Sequence, residues 1–177
     1  RGKKGSLFQR LEKSLRDSNI PFSYVPPEKL IKIKDKNHQG VVAIISKIDY
    51  INIEKLIEEA FLKNTTPTFL LLDGITDSRN MGAILRSSAA ASVNGVIIPQ
   101  TGIAPINEKS IKTSAGGIFK VPISRVSHLK DAIYILKSFN TEIIAVSEKS
   151  NINLYDIKLN KATAFIMGSE DKGINNG

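Results

Sequence analysis

Cysteine is absent from these 177 residues, and histidine occurs only twice. The first absence removes a disulfide framework, thiolate zinc sites and a cysteine nucleophile together, and it suits a reducing compartment. The second leaves His38 and His128 as the only imidazoles, too few for a multi-histidine metal centre, so no metal is expected. A Ser-His-Asp triad has equally little to draw on. No apolar run approaches the roughly 18 residues needed to span a bilayer, and no charged-then-apolar leader opens the chain. The sequence reads as that of a cytoplasmic protein with no membrane partner. Two familiar phosphate-binding loops are missing as well. No G-x-G-x-x-G follows a strand, which excludes the ordinary dinucleotide loop. In Gly168-Ser169-Glu170-Asp171-Lys172-Gly173-Ile174 the second glycine is not followed by Lys-Ser or Lys-Thr, so this is no Walker A loop.

What is present begins with 41% hydrophobic residues, enough to bury a core over one domain and part of another. The net charge of +8 is unevenly spread. Residues 1–48 hold 11 Lys/Arg against 4 Asp/Glu, whereas residues 49–177 hold 14 against 13. This lopsidedness fits a small basic module that meets a polyanion, joined to a nearly neutral domain, although a solvated basic face would give the same count.

Leu7, Phe8, Leu11 and Leu15 are spaced as on one face of a helix, and a short apolar strand is predicted at 22–25 after Pro21. The run 40–45 is so uniformly apolar and β-branched that it is expected in the middle of a covered sheet. One helix and two strands do not make a domain, and the chain opens on Arg1, so this module is expected to be part of a larger one. Ile53, Leu56, Ile57, Ala60 and Phe61 mark a helix with one buried stripe, read as packing rather than as a site. The polar stretch Lys63-Asn64-Thr65-Thr66-Pro67 places a junction behind it. The predicted division is thus 1–48, a linker with a helix at 49–66, and a main domain at 67–177.

That main domain alternates. Strands are predicted at 69–72, 96–98, 121–123, 143–146 and 164–167, with helices at 82–91, 107–113 and around Leu129, Ala132, Ile133 and Leu136. This is an α/β fold, a mostly parallel sheet with helices on both faces and ligands at the carboxyl ends of its strands.

Two strand-to-loop segments carry the polar residues such a sheet presents to a ligand. In the first, Leu71-Leu72 run through Asp73-Gly74-Ile75-Thr76-Asp77-Ser78-Arg79-Asn80 into a helix with Gly82 and Arg86 one turn apart, where a glycine beneath an arginine lets a ligand or chain come close. Alone, it reads first as an Asn80 or Ser78 cap with a surface arginine. In the second, Phe165-Ile166-Met167 open into the glycine-flanked acidic turn 168–173, whose backbone could face a ligand. Alone, that too reads first as a tight turn with solvated charges.

Together, in this order, the segments resemble the first two signature motifs of the SpoU family of RNA 2′-O-ribose methyltransferases. Asp73, Asn80, Gly82 and Arg86 match the first motif. Gly168-Ser169-Glu170 and Gly173 match the second, and Lys112-Thr113-Ser114-Ala115-Gly116 with Val121-Pro122 resembles the segment between them. Arg1 to Phe8 and Asn37 to Ala43 resemble the later part of a small α/β, L30e-like RNA-binding domain found in the ribosomal-RNA guanosine branch. Ser92 and Gly117 depart from a common glycine and a common alanine, and Asp171 from a usual small residue. The family's third motif, a Ser-Leu-Asn segment completing the trefoil knot and cofactor pocket, is not among these residues, so an open site is expected.

The resemblance implies S-adenosylmethionine as methyl donor and an RNA ribose 2′-hydroxyl as acceptor, in large-subunit ribosomal RNA. It implies a homodimer whose sites draw on both subunits. Asn80, Arg86 and Glu170 are the implied catalytic set, and Gly168, Ser169 and Gly173 the cofactor contacts. Lys3, Lys4, Lys32, Lys34, Lys36 and Arg79 are candidates for RNA phosphates. A guanidinium stays protonated in proteins, and bringing Arg86 to near neutral would cost roughly 7–8 kcal/mol. Arg86 is therefore expected to grip phosphate and stabilise alkoxide charge, while Asn80 and Glu170 orient loops or relay the proton. A transfer-RNA ribose methyltransferase and a non-catalytic RNA-binding protein remain as alternatives.

Overall fold

The computed structural model describes residues 5–26, 28–30, 40–44 and 48–175. The chain forms two compact units, Arg1–Ser46 and Lys47–Gly177. In the first, helix α1 (Ser6–Asp17) follows the predicted spacing and carries an i,i+4 ion pair, Arg16 to Glu12 at 3.0 Å. Its neighbour segment brings Phe22 and Tyr24 edge to face at 5.8 Å. The two strands expected here are corrected. Residues 21–26 and 41–44 form no strand, and Val41, Val42 and Ile44 are exposed, the last at 100%. A β-branched run favours extended backbone, but a strand exists only where a neighbour completes the ladder, and none does so among the described residues.

The second unit is a five-stranded, all-parallel sheet in the order β3-β2-β1-β5-β4. Its strands are β1 (Thr68–Leu72), β2 (Gly95–Pro99), β3 (Ile123–Val126), β4 (Glu142–Val146) and β5 (Thr163–Met167). Its helices are α2 (Ile53–Lys63), α3 (Ser78–Ala90), α4 (Glu108–Thr113) and α5 (Leu129–Ser138). Alternate residues of β1 feed two cores. Phe69 and Leu71 pack with Leu56, Ile57, Ala132 and Leu136 of α2 and α5. Leu70 and Leu72 pack with Met81 and Leu85 of α3. Both faces are covered, which is why the strand reads as unbroken apolar sequence rather than alternating.

Three boundaries differ from the sequence reading. The helix assigned to a linker packs inside the second unit, because Ile53, Leu56, Ile57 and Ala60 have a sheet face to bury against. Helix α3 begins four residues earlier than expected, capped by Asp77 rather than Asn80 or Ser78. The strand expected at 121–123 lies at Ile123–Val126, with Pro122 just before it contributing its carbonyl to Val96. Proline has no N–H for a ladder, so pairing starts after it.

Ser92, which follows the end of α3, has φ +55°. A side chain in the left-handed region costs about 1–2 kcal/mol, a cost glycine avoids. Ser92→Gly is therefore expected to raise stability by about 1 kcal/mol in chemical denaturation. An unchanged or lower midpoint would refute this.

Candidate active site

The chain order places the site. From β1 it moves outward through β2 to β3, then α5 carries it to β4 at the far edge, and β5 returns beside β1. β1→β2→β3 and β4→β5 step the same way across the sheet and only the α5 crossover runs back, so β1 and β5 lie side by side, with ligands expected at their carboxyl ends. Strands β1 and β5 pair in step to their last residues, Leu72 opposite Met167, so the loops leaving them start side by side. The Asp73 N–H continues the ladder, donating to the Met167 carbonyl at 2.8 Å.

The loop after β5 is a closed turn. Ser169 N–H donates to the Gly173 carbonyl at 3.0 Å, and Gly173 N–H returns to Ser169 at 2.9 Å. Inside it, Lys172 N–H donates to Ser169 Oγ at 3.1 Å. Gly173 has φ +70°, a conformation that favours glycine. At Gly168 the requirement is space: a Cβ there would run into the backbone of Gly173 and Ile174. Closure of the turn is thus reason enough for that glycine.

A staple joins the turn to the first loop. Asp73 accepts from Asn175 twice, from its N–H at 2.7 Å and from Nδ2 at 3.0 Å. The sequence reading missed Asn175, and two polar residues 102 positions apart leave no local signal to find.

On the α3 side, Asp77 accepts from the N–H groups of Arg79 and Asn80 at 2.6 and 3.0 Å. Those bonds from Asn80 and then Arg79 hold the Asp77 carboxyl below its usual range. A folded-state pKa that is lowered stabilises above the unfolded value, so this cap is lost as acid protonates it. Capped in this way, α3 presents Asn80, whose Nδ2 donates to Glu170 Oε1 at 3.1 Å. The two motif turns meet in one place.

Arg86 does not join them within the chain. Six residues beyond Asn80, it lies about 240° round the helix and about 9 Å along its axis. It is exposed and makes no hydrogen bond or ion pair with any described residue. Arg79, seven residues back, is exposed on nearly the same face, so α3 carries a basic stripe outward. The expected close approach at Gly82 is also filled. A Cβ there would stand 2.5 Å from the Ser110 carbonyl oxygen, because α4 lies against it. That glycine serves helix packing, not access to Arg86. Lys3, Lys4, Lys32, Lys34 and Lys36 lie outside the described residues. Among the described residues no cluster of three or more His, Asp or Glu could hold a metal, and no helix is long and apolar enough to cross a membrane.

A parallel α/β domain with two polar turns joined over its central strands presents a ligand-binding edge at the strands' carboxyl ends. Comparison with known proteins narrows the class. Residues 67–177 match the model of the SpoU rRNA methylase family, and residues 1–51 match the family model described as RNA 2′-O ribose methyltransferase substrate binding. A Staphylococcus aureus protein assigned to the TrmH family of tRNA/rRNA methyltransferases is 33% identical over 174 residues, covering 98% of this chain and 70% of that protein. The SpoU methyltransferase AviRb of Streptomyces viridochromogenes, solved with AdoMet, aligns with a TM-score of 0.75 at 18% identity, covering 99% of this chain and 65% of that one. An AdoMet-bound rRNA methyltransferase of Sinorhizobium meliloti aligns with a TM-score of 0.63 at 22% identity, over 73% of this chain and about half, 48%, of its own. The chain belongs to the SpoU family of RNA methyltransferases.

Proposed function

We propose that the protein transfers a methyl group from S-adenosylmethionine to a ribose 2′-hydroxyl of RNA, with a guanosine of large-subunit ribosomal RNA as target. The observation that carries this reading is the Asn80–Glu170 hydrogen bond, which joins both motif turns at one point of the strand ends. Residues 1–48 are the RNA-binding module in this reading, and their basic excess supports it. A transfer-RNA target is the second reading, favoured by the name of the Staphylococcus aureus relative, which covers both RNAs.

The residues present suit the donor. The N–H groups of Glu170 and Asp171 donate to no described residue, and both residues are exposed on the closed turn. Beside it, Ile144 and Val146 of β4 lie opposite Phe165 and Met167 of β5, a partly exposed apolar surface for a flat base. The turn of Gly168, Ser169 and Gly173 would hold S-adenosylmethionine, which supplies a methyl on a sulfonium whose departure leaves a neutral thioether. Leaving-group chemistry needs no help, so the protein's task is alignment and removal of the hydroxyl proton. Glu170 fixes the Asn80 amide, this pair orients the 2′-hydroxyl, and the hydroxyl proton leaves to water. Arg86 and Arg79 bind RNA phosphate, a role for which a permanently charged, bidentate donor is suited.

Arg86 is exposed and makes no hydrogen bond with Asn80 or Glu170 of its own chain, so we propose a homodimer in which Arg86 of one copy completes the site of the other. Mixing Asn80→Ala and Arg86→Ala proteins, each inactive alone, is expected to restore about a quarter of the parent rate through mixed dimers. No recovery after subunit exchange would refute shared sites. The function itself is tested by radiolabelled methyl transfer by the intact protein to unmodified large-subunit ribosomal RNA and transfer RNA, with the modified ribose mapped. Labelled ribosomal RNA is expected, labelled transfer RNA would select the second reading, and label in neither would overturn both.

A further inference from the structure

We propose that Asp49, Tyr50 and Arg125 form a stacking subsite for one unpaired guanine of the substrate RNA, apart from the reacting ribose. The inference rests on the RNA methyltransferase reading above. These residues line a cleft of about 680 Å³ with Ile103, Pro105 and Ile106. It lies on the α3 side of the sheet at the β3 edge, where Ile51 bridges Ser124 and brings Asp49 and Tyr50 alongside.

Three features fit a nucleobase. The first is a prepared flat surface. The Arg125 guanidinium lies 5.5 Å from the centre of the Tyr50 ring, and its Nη2 donates to the Gln100 carbonyl at 2.7 Å. An exposed arginine is usually free to move, but this one is held at both the ring and the loop, so little ordering is left for a ligand to bring about. Aromatic rings and guanidinium planes are the surfaces on which proteins stack unpaired RNA bases. The second is apolar depth: Ile103, Pro105 and Ile106 back the cleft, leaving room for a heterocycle.

The third is Asp49, an exposed carboxylate that makes no hydrogen bond or ion pair with any described residue. A carboxylate offers two adjacent acceptors. Guanine alone among the four bases carries two adjacent donors, N1–H and N2–H, on its pairing edge, so this rim selects guanine.

Position ties the cleft to the reaction. The loop between β2 and α4 forms its wall and also supports the active-site turns. Ala104 N–H donates to the Ile75 carbonyl at 2.7 Å, and Asn107 Nδ2 donates to Ser78 Oγ at 3.1 Å. A strand whose target ribose sits at Asn80 and Glu170 can thus place a flanking base across this loop. Stacking and carboxylate pairing there would select sequence context without touching the methyl transfer.

The 177 residues contain no tryptophan, so Tyr50→Trp adds a lone indole to this chain as a reporter. It is titrated with a uridine-rich oligoribonucleotide holding one central guanine, and with the same oligomer holding adenine. The guanine oligomer is expected to quench the indole more strongly and at lower concentration. Tyr50→Leu is expected to weaken binding of that oligomer, followed by anisotropy, about tenfold. Asp49→Asn is expected to abolish the preference for guanine over adenine. Circular dichroism melting of each variant separates a packing role, which would lower the midpoint and leave the guanine preference intact. That result, or RNA binding with no change in indole emission, overturns the subsite while the methyltransferase reading stands. If the intact protein shows neither RNA binding nor methyl transfer, the two fall together.

Discussion

Glu170→Ala is expected to lower kcat/KM for RNA methylation by about 10²–10³-fold, while Glu170→Gln stays within about tenfold of the parent. Glu170 accepts from the Asn80 amide, and glutamine offers an oxygen in the same place. The comparison therefore separates orientation from charge, and an equal fall in both variants would make the carboxylate itself the proton acceptor. Asn80→Asp should be as damaging as Asn80→Ala, because it removes the donor and sets two carboxylates about 3 Å apart. Neither change should cost much stability. The pair is exposed, and one such hydrogen bond contributes about 0.5–1.5 kcal/mol. A large loss of thermal stability in Asn80→Ala would show that the contact is structural instead.

Gly168→Ala is the second large effect, with a different cause. The added methyl would meet the Gly173 and Ile174 backbone rather than a side chain that can swing aside. The Ser169–Gly173 closure must open, which moves Glu170 away from Asn80. A displacement of about 1 Å at reacting groups costs about a hundredfold in rate, so methyl transfer should fall by at least that much. The strain, about 1–3 kcal/mol, sits in the turn beyond the end of β5 and should leave the sheet intact. Gly173→Ala is the control. Nothing lies within 4 Å of a Cβ there, so only its positive φ is strained, and its activity should stay above that of Gly168→Ala. Equal activity in the two variants would count against this geometry.

The second unit was legible wherever burial is two-sided and regular. Residues 69–72 read as a buried strand because each face packs against helices, and at 164–167 Ala164 and Ile166 are buried while Phe165 and Met167 are only partly so. The β3 edge was displaced by two residues in the sequence reading because Pro122 interrupts the ladder and exposed Arg125 breaks the apolar run. The cap of α3 was ambiguous because Asp77, Ser78 and Asn80 are all capping types, and only side-chain geometry selects among them. At 40–44 the composition of a buried strand met no pairing neighbour among the described residues. Gly82 was recognised as a close approach and Gly168 as part of a turn whose backbone faces a ligand, but which groups crowd the two glycines was not local information.

By itself the sequence determined the exclusions that follow from having no cysteine and two histidines. It also determined the alternation of strand and helix, and the chemistry of two turns that resemble one family's motifs. Tertiary structure decided that those turns are neighbours. Hydrophobic periodicity tells each strand which faces to bury but not which strand lies beside it. Only the return of β5 to the side of β1 brings Glu170 to Asn80 and Asn175 to Asp73, across 90 and 102 residues of chain. The same geometry turns Arg86 outward, since a helix that buries Met81 and Leu85 must present the opposite face to whatever lies outside the chain.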